Sequence, residues 1–186
     1  MKHFCAIVRH TETMKTSSIL FSTLVALAPA TALQAEDATL AGAPIQVAFF
    51  ESDKFTDIGQ SYQASEKERQ HDLAVIRDYV VEQASRSLPP GHRLEVTFTD
   101  IDRAGEFEPW RGARWTDVRM VKEIYAPRMS LTFRVTDADG NVVKEGKREL
   151  RDSAFLSKLS IDRNDAYRHE KELLHDWLRT ELPRRR

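Results

Sequence analysis

An α+β two-layer sandwich, with a four-stranded mixed sheet and two helices on one face, is the fold this sequence predicts (β-α-β-β-β-α). Three observations lead to it. A strand pattern, an amphipathic helix and a second strand pattern follow one another between Ile45 and Ile101. Met129, Leu131, Phe133 and Val135 alternate strictly and run into Asp139-Gly140, a tight-turn pair. A last amphipathic stretch ends near Leu182.

Ile45, Val47 and Phe49 alternate with Gln46 and Ala48, which predicts the first strand. Residues 51–64 carry turn and polar residues around Phe55, Ile58 and Tyr62, a loop with three expected buried anchors. Ser65-Glu66-Lys67-Glu68 is a capping-box pattern, because the Ser65 hydroxyl can accept from the Glu68 N–H while Glu68 reaches back. The helix it opens should bury Leu73, Ile76, Val80, Ala84 and Leu88, and Pro89-Pro90-Gly91 should end it. Residues 92–101 read as a second strand with Leu94, Val96 and Phe98 on one face; strand, helix and strand in succession predict a right-handed crossover and a parallel pair. Residues 118–125 predict a short helix stopped at Ala126-Pro127. After the strand at 129–135 and its turn, residues 142–150 return as a strand rich in Lys and Glu, fitting a sheet edge that must not recruit another strand. A final helix over 164–182 should turn Tyr167, Leu174, Trp177 or Leu178, and Leu182 inward.

The N-terminus reads as an export signal. Residues 19–28 form an apolar core too short to span a bilayer, with Lys15 before it and small residues after it. Met14 is the better start, and residues 1–35 are set aside from the fold, leaving a flexible lead-in at 36–44, one globular domain at 45–183 and a basic tail at 184–186. Removal takes Cys5, the lone cysteine, so the mature chain has no thiol for a disulfide, a nucleophile or a lipid anchor. Lys plus Arg falls from 28 to 25 and Asp plus Glu from 29 to 28, a net charge of −3. That balance gives no field to recruit nucleic acid or an anionic membrane, and no stable membrane insertion is expected after cleavage. A periplasmic or secreted location is the expectation.

No cofactor or metal motif stands out. Asp137-Ala138-Asp139-Gly140-Asn141 resembles the start of a calcium loop, but the sixth and twelfth positions are Val142 and Arg148, so it reads as the hairpin turn. His169 and His175 are six apart, the wrong spacing for a helical zinc pair. Gly-rich phosphate loops and nucleophile elbows are missing from the sequence. Asp100 and Asp102 are spaced to point one way from a strand end, either toward a cation or, the preferred reading, toward Arg103, Arg111 or Arg114.

The stretch Gly105–Asp117 gathers Trp110, Trp115, Arg111, Arg114, Glu106, Glu108 and Asp117 in a segment with no regular period. Three readings stay open. Phe107, Trp110 and Trp115 can plug the end of the core while the arginines neutralise Glu106, Glu108 and Asp117. Exposed tryptophans beside arginines can instead grip a protein or an envelope component, as binding hot spots do. Glu106, Glu108 or Asp102 can serve as acid and base in a small hydrolase acting on an envelope glycan. A non-enzymatic binding module is the leading reading and the carboxylate hydrolase its alternative.

The chain also resembles the bacterial exported family known as domain of unknown function 3016. The resemblance rests on Lys54-Phe55-Thr56-Asp57-Ile58-Gly59, on Leu88-Pro89-Pro90-Gly91, and on the run from Asp100 through Phe107-Glu108-Pro109-Trp110-Arg111-Gly112. It continues through Asp117-Val118-Arg119, Ile124-Tyr125-Ala126-Pro127-Arg128 and Thr136-Asp137-Ala138-Asp139-Gly140. Ala126 departs from the second proline of the family pattern, which affects only that turn. The resemblance implies a signal peptide and one domain of this length; it brings no activity, cofactor or site residue.

Overall fold

A computed structural model of the protein describes residues 43–158 and 164–182. The expected signal segment, most of the lead-in and the basic tail lie outside the described residues.

The main sheet has the order β1-β2-β5-β6, built from β1 (Ile45–Phe49), β2 (Arg93–Asp102), β5 (Arg128–Thr136) and β6 (Val142–Arg151). β1 and β2 are parallel, as a strand-helix-strand crossover requires, and the other two pairings are antiparallel. α1 (Glu66–Ser87) and α2 (Arg168–Glu181) bury their apolar stripes against one face. The predicted α+β sandwich is the observed one.

Local chemistry accounts for each boundary. Both halves of the Ser65–Glu68 capping box form, and Leu88 packs into the core as the residue that ends α1. The hairpin between β5 and β6 is tied by Asp137, whose Oδ1 accepts from the N–H groups of Asp139 at 3.0 Å and Asn141 at 2.8 Å. Gly140 there takes φ +85°, a backbone angle that a side chain would strain. On β6, Lys144 and Arg148 both grip Glu181 at 2.7 Å, which fastens the charged edge strand to the end of α2.

One irregularity positions the site. The register of β2 against β5 shifts between Phe98 and Asp100, leaving Thr99 as an extra residue. A bulge of this kind reverses which residues face inward. Leu94, Val96 and Phe98 face the helices before it; Ile101 and Arg103 do so after it. The arginine that follows β2 is thereby buried beneath the helices.

Three expectations are corrected. Residues 118–125 form no helix: Arg119–Met120 is a short strand, β4, paired with β3 (Glu106–Phe107). Arg119 is held there by Asp57 and the Gly59 carbonyl, contacts that an isolated turn of helix would not make. Tyr62 is half exposed, whereas Phe55 and Ile58 are buried as expected. α2 begins at Arg168 rather than near Asn164, because Asp165 accepts from the Tyr167 N–H at 2.8 Å and turns the chain before the helix.

Candidate functional site

β3, two short 3-10 turns, β4 and the turn that follows make a two-stranded arm projecting from the end of β2. Its centre is Glu108, which is 2% exposed. Glu108 Oε1 accepts from Lys122 Nζ and from the Tyr125 hydroxyl at 2.9 Å, while Oε2 faces Arg111 Nε at 2.7 Å. The Lys122 hydrogen bond, followed by those from Tyr125 and the charge of Arg111, holds the Glu108 carboxyl below the usual glutamate range. The hydrogen bond that Tyr125 donates to Glu108 raises the phenol in turn. One buried carboxylate thus clasps two turns, one through Arg111 and the other through Lys122 and Tyr125.

Each clasped turn carries a bare apolar side chain. Trp110 is 71% exposed and Ile124 is 69% exposed, and Trp115, Val118 and Val121 on the same arm are also exposed. The plug reading therefore fails for Trp110. Phe107 alone of the three aromatics is buried, and the Arg119 guanidinium covers its ring at 4.4 Å. Arg111 neutralises Glu108 as expected, but Glu106 instead accepts from the Phe107 N–H at 3.0 Å. Arg114 and Asp117 are exposed.

Beneath the arm lies an ion network that the sequence reading missed. Arg103 donates to Asp72 Oδ2 at 2.7 Å, to the Gly59 carbonyl at 3.0 Å and to the Ala166 carbonyl at 3.2 Å. Its guanidinium stacks on Tyr167 at 4.3 Å and lies 3.7 Å from Glu170 Oε1. Glu170 in turn accepts from the Ala104 N–H at 2.8 Å. Burial raises the Glu170 carboxyl against the pull of Arg103. Burial also pushes the Tyr167 phenol up to about 12, helped by its hydrogen bond to Asp72. Asp72 and Glu170 lie on the apolar stripes of their helices, at helical spacing from Ile76 and from Leu173 and Leu174; that was the signal available.

The expected pairing of Asp100 and Asp102 with Arg103, Arg111 or Arg114 is also corrected. Asp100 accepts from the Thr56 N–H at 2.7 Å and its hydroxyl at 2.9 Å, while Arg128 approaches Asp102 only to 4.0 Å. The bulge has sent Arg103 to the other face. Burial, then the neighbouring charge of Asp57, pushes the Asp102 carboxyl up to about 6. Among the described residues, no group of three or more His, Cys, Asp or Glu is placed to hold a metal ion, and no helix is long and apolar enough to cross a membrane.

A shallow trough of about 480 Å³ opens on the uncovered face of the sheet, lined in part by Glu95, Thr97, Thr132 and Arg134. None of its lining residues belongs to the arm, and Arg134 closes onto Glu145 at 3.0 Å across it. It is the polar solvent face of a sheet whose other face is covered.

A family model described as a protein of unknown function (DUF3016) matches residues 43–180, from the root of β1 nearly to the end of α2. The chain belongs to the DUF3016 family. No curated protein and no solved structure matches it. In this DUF3016 chain, the matched region contains the whole arm and all of the buried network beneath it.

Proposed function

We propose that this DUF3016 protein is an exported, non-enzymatic module that binds a protein or another envelope component through the arm. The observation that carries the reading is the exposure of Trp110 two residues after Glu108, which is buried and held by three partners. A freely exposed tryptophan on a loose loop would lose conformational entropy on binding; one presented by a fixed turn has less to lose. The indole offers a large contact area, and Arg111 and Arg114 beside it supply donors for a carboxylate or a carbonyl on the partner. The test is site-specific crosslinking of the exported full chain in its own envelope, wild type against Trp110→Ala. The reading expects a crosslinked species that disappears in the variant; a species retained undiminished, or none in either, contradicts it.

A second reading has one observation in its favour. A carboxyl raised to about 6, as at Asp102, suits a general acid in glycan hydrolysis. Glu108, by contrast, is covered by its own cations and does not suit the partner role. This reading expects turnover of an envelope glycan by the purified protein, abolished in Asp102→Asn.

A further inference from the structure

The arm leaves the sheet at Ala104 and returns at Ala126, and these two residues pack together with Phe155 in a small buried cluster separate from the main core. His169, in the first turn of α2, closes that cluster. Its ring meets Phe155 edge to face, with centroids 4.8 Å apart and planes at 86°. The histidine is only 7% exposed, and among the described residues neither ring nitrogen has a hydrogen-bond partner. The next residue, Glu170, holds the arm's root by accepting from the Ala104 N–H.

We infer that His169 is an acid-operated latch on the arm: uncharged, it seals the roots at Ala104 and Ala126 through Phe155, and charged, it leaves that seat and loosens Glu170's tie to Ala104. The inference concerns regulation of the binding surface proposed above and rests on that reading only for its consequence in binding.

An imidazolium is poorly tolerated in that seat. The site is apolar, the helix N-terminus carries a partial positive charge, and Arg168 stands beside it on the same helix. From the exit of β6, Asp152 pulls the other way, but it already faces Lys158 at 2.7 Å and accepts from the Ala154 N–H at 3.0 Å. From the end of β2, Arg103 is engaged by Asp72 and the Gly59 carbonyl. Burial, then Arg168, accordingly depresses the His169 ring below the ordinary histidine value. The N-cap residue Tyr167 gives this end of α2 no side-chain cap. The turn is tied by Asp165 to the Tyr167 N–H and by Arg103 to the Ala166 carbonyl, and neither tie holds the His169 ring.

The signs are distinguishable. A histidine with a depressed folded value leaves stability intact above about pH 6.5 and removes it as the pH falls below that point. Glu170, raised by burial, acts in the opposite sense: its contribution is lost as the pH rises through its folded value, so acid favours its buried form. Acidification weakens the roots only if the histidine dominates.

Hydrogen exchange of the full chain decides this, read over residues 104–126 at about pH 7.5 and about pH 5.5 and corrected for intrinsic exchange rates. Wild type should lose protection several-fold across the roots on acidification, because the ring is held below the ordinary histidine value. His169→Phe keeps the ring packing without the charge and should show equal or greater protection at the lower pH. Unchanged protection in wild type, or the same loss in His169→Phe, overturns the latch. If His169→Phe does not fold, the ring resonances of wild-type His169 give the answer: titration at or above about pH 6.5, like an exposed histidine, overturns it. Neither readout depends on the Trp110 side chain or on a partner, so failure of the latch and failure of the binding reading are separate results.

Discussion

Arg103 and Asp72, 31 residues apart in the chain, meet at 2.7 Å with side chains 4% and 0% exposed. A buried pair of this kind is a weak source of net stability but a strong constraint, since removing one partner strands the other charge. Asp72→Ala should therefore cost about 3–5 kcal/mol in equilibrium denaturation. A cost under about 1 kcal/mol would mean that Glu170 or solvent replaces Asp72 at no penalty, and that the network does not hold the arm's foundation.

Glu108 should matter for the arm more than for the domain. In Glu108→Gln, Lys122 and Arg111 face each other without the carboxylate, so trypsin should cut after Arg111, Arg114 or Lys122 faster than in wild type. Because the folded carboxyl is held low, its contribution is present above the ordinary glutamate value of about 4.3 and is lost as the pH falls through the folded value. Wild type should thus lose arm protection in acid below about pH 4.3, and Glu108→Gln should lack that loss. Equal trypsin rates in the two proteins would remove Glu108 from its central place.

Asp102 has the opposite sign. Its folded value is raised to about 6, so its contribution is fully present below the ordinary aspartate value and is lost as the pH rises through about 6. At neutral pH it is a half-buried charge beside Asp57. Asp102→Asn should stabilise the protein by about 1 kcal/mol at neutral pH, after allowance for solvent screening, with the gain shrinking in acid. Destabilisation at neutral pH would show that the weak contact with Arg128 outweighs burial.

The layers of the fold were legible because each rests on a short-range pattern. The 129–135 alternation, the Ser65–Glu68 box and the Asp139-Gly140 turn are complete within a few residues. The arm was legible as a place but not as a structure, because its conformation depends on residues far away: Arg119 is held by Asp57, and Glu108 by Lys122 and Tyr125. Sequence alone leaves Arg103, Arg111 and Arg114 as candidate partners for Asp100 and Asp102, and a single extra residue, Thr99, turns Arg103 to the other face. Such a bulge has no composition that marks it. Asp72 and Glu170 were visible in principle, as carboxylates on apolar helical stripes, but nothing local says which arginine they meet.

The most direct test of the account is the stability of Trp110→Ala. If the indole stands free for a partner, equilibrium denaturation should place the variant within about 0.5 kcal/mol of wild type, as for an ordinary surface position. A loss of about 3–5 kcal/mol, the cost of truncating a buried tryptophan, would contradict the account. Trp110 would then be part of the core, and the arm would have no exposed aromatic to bind with.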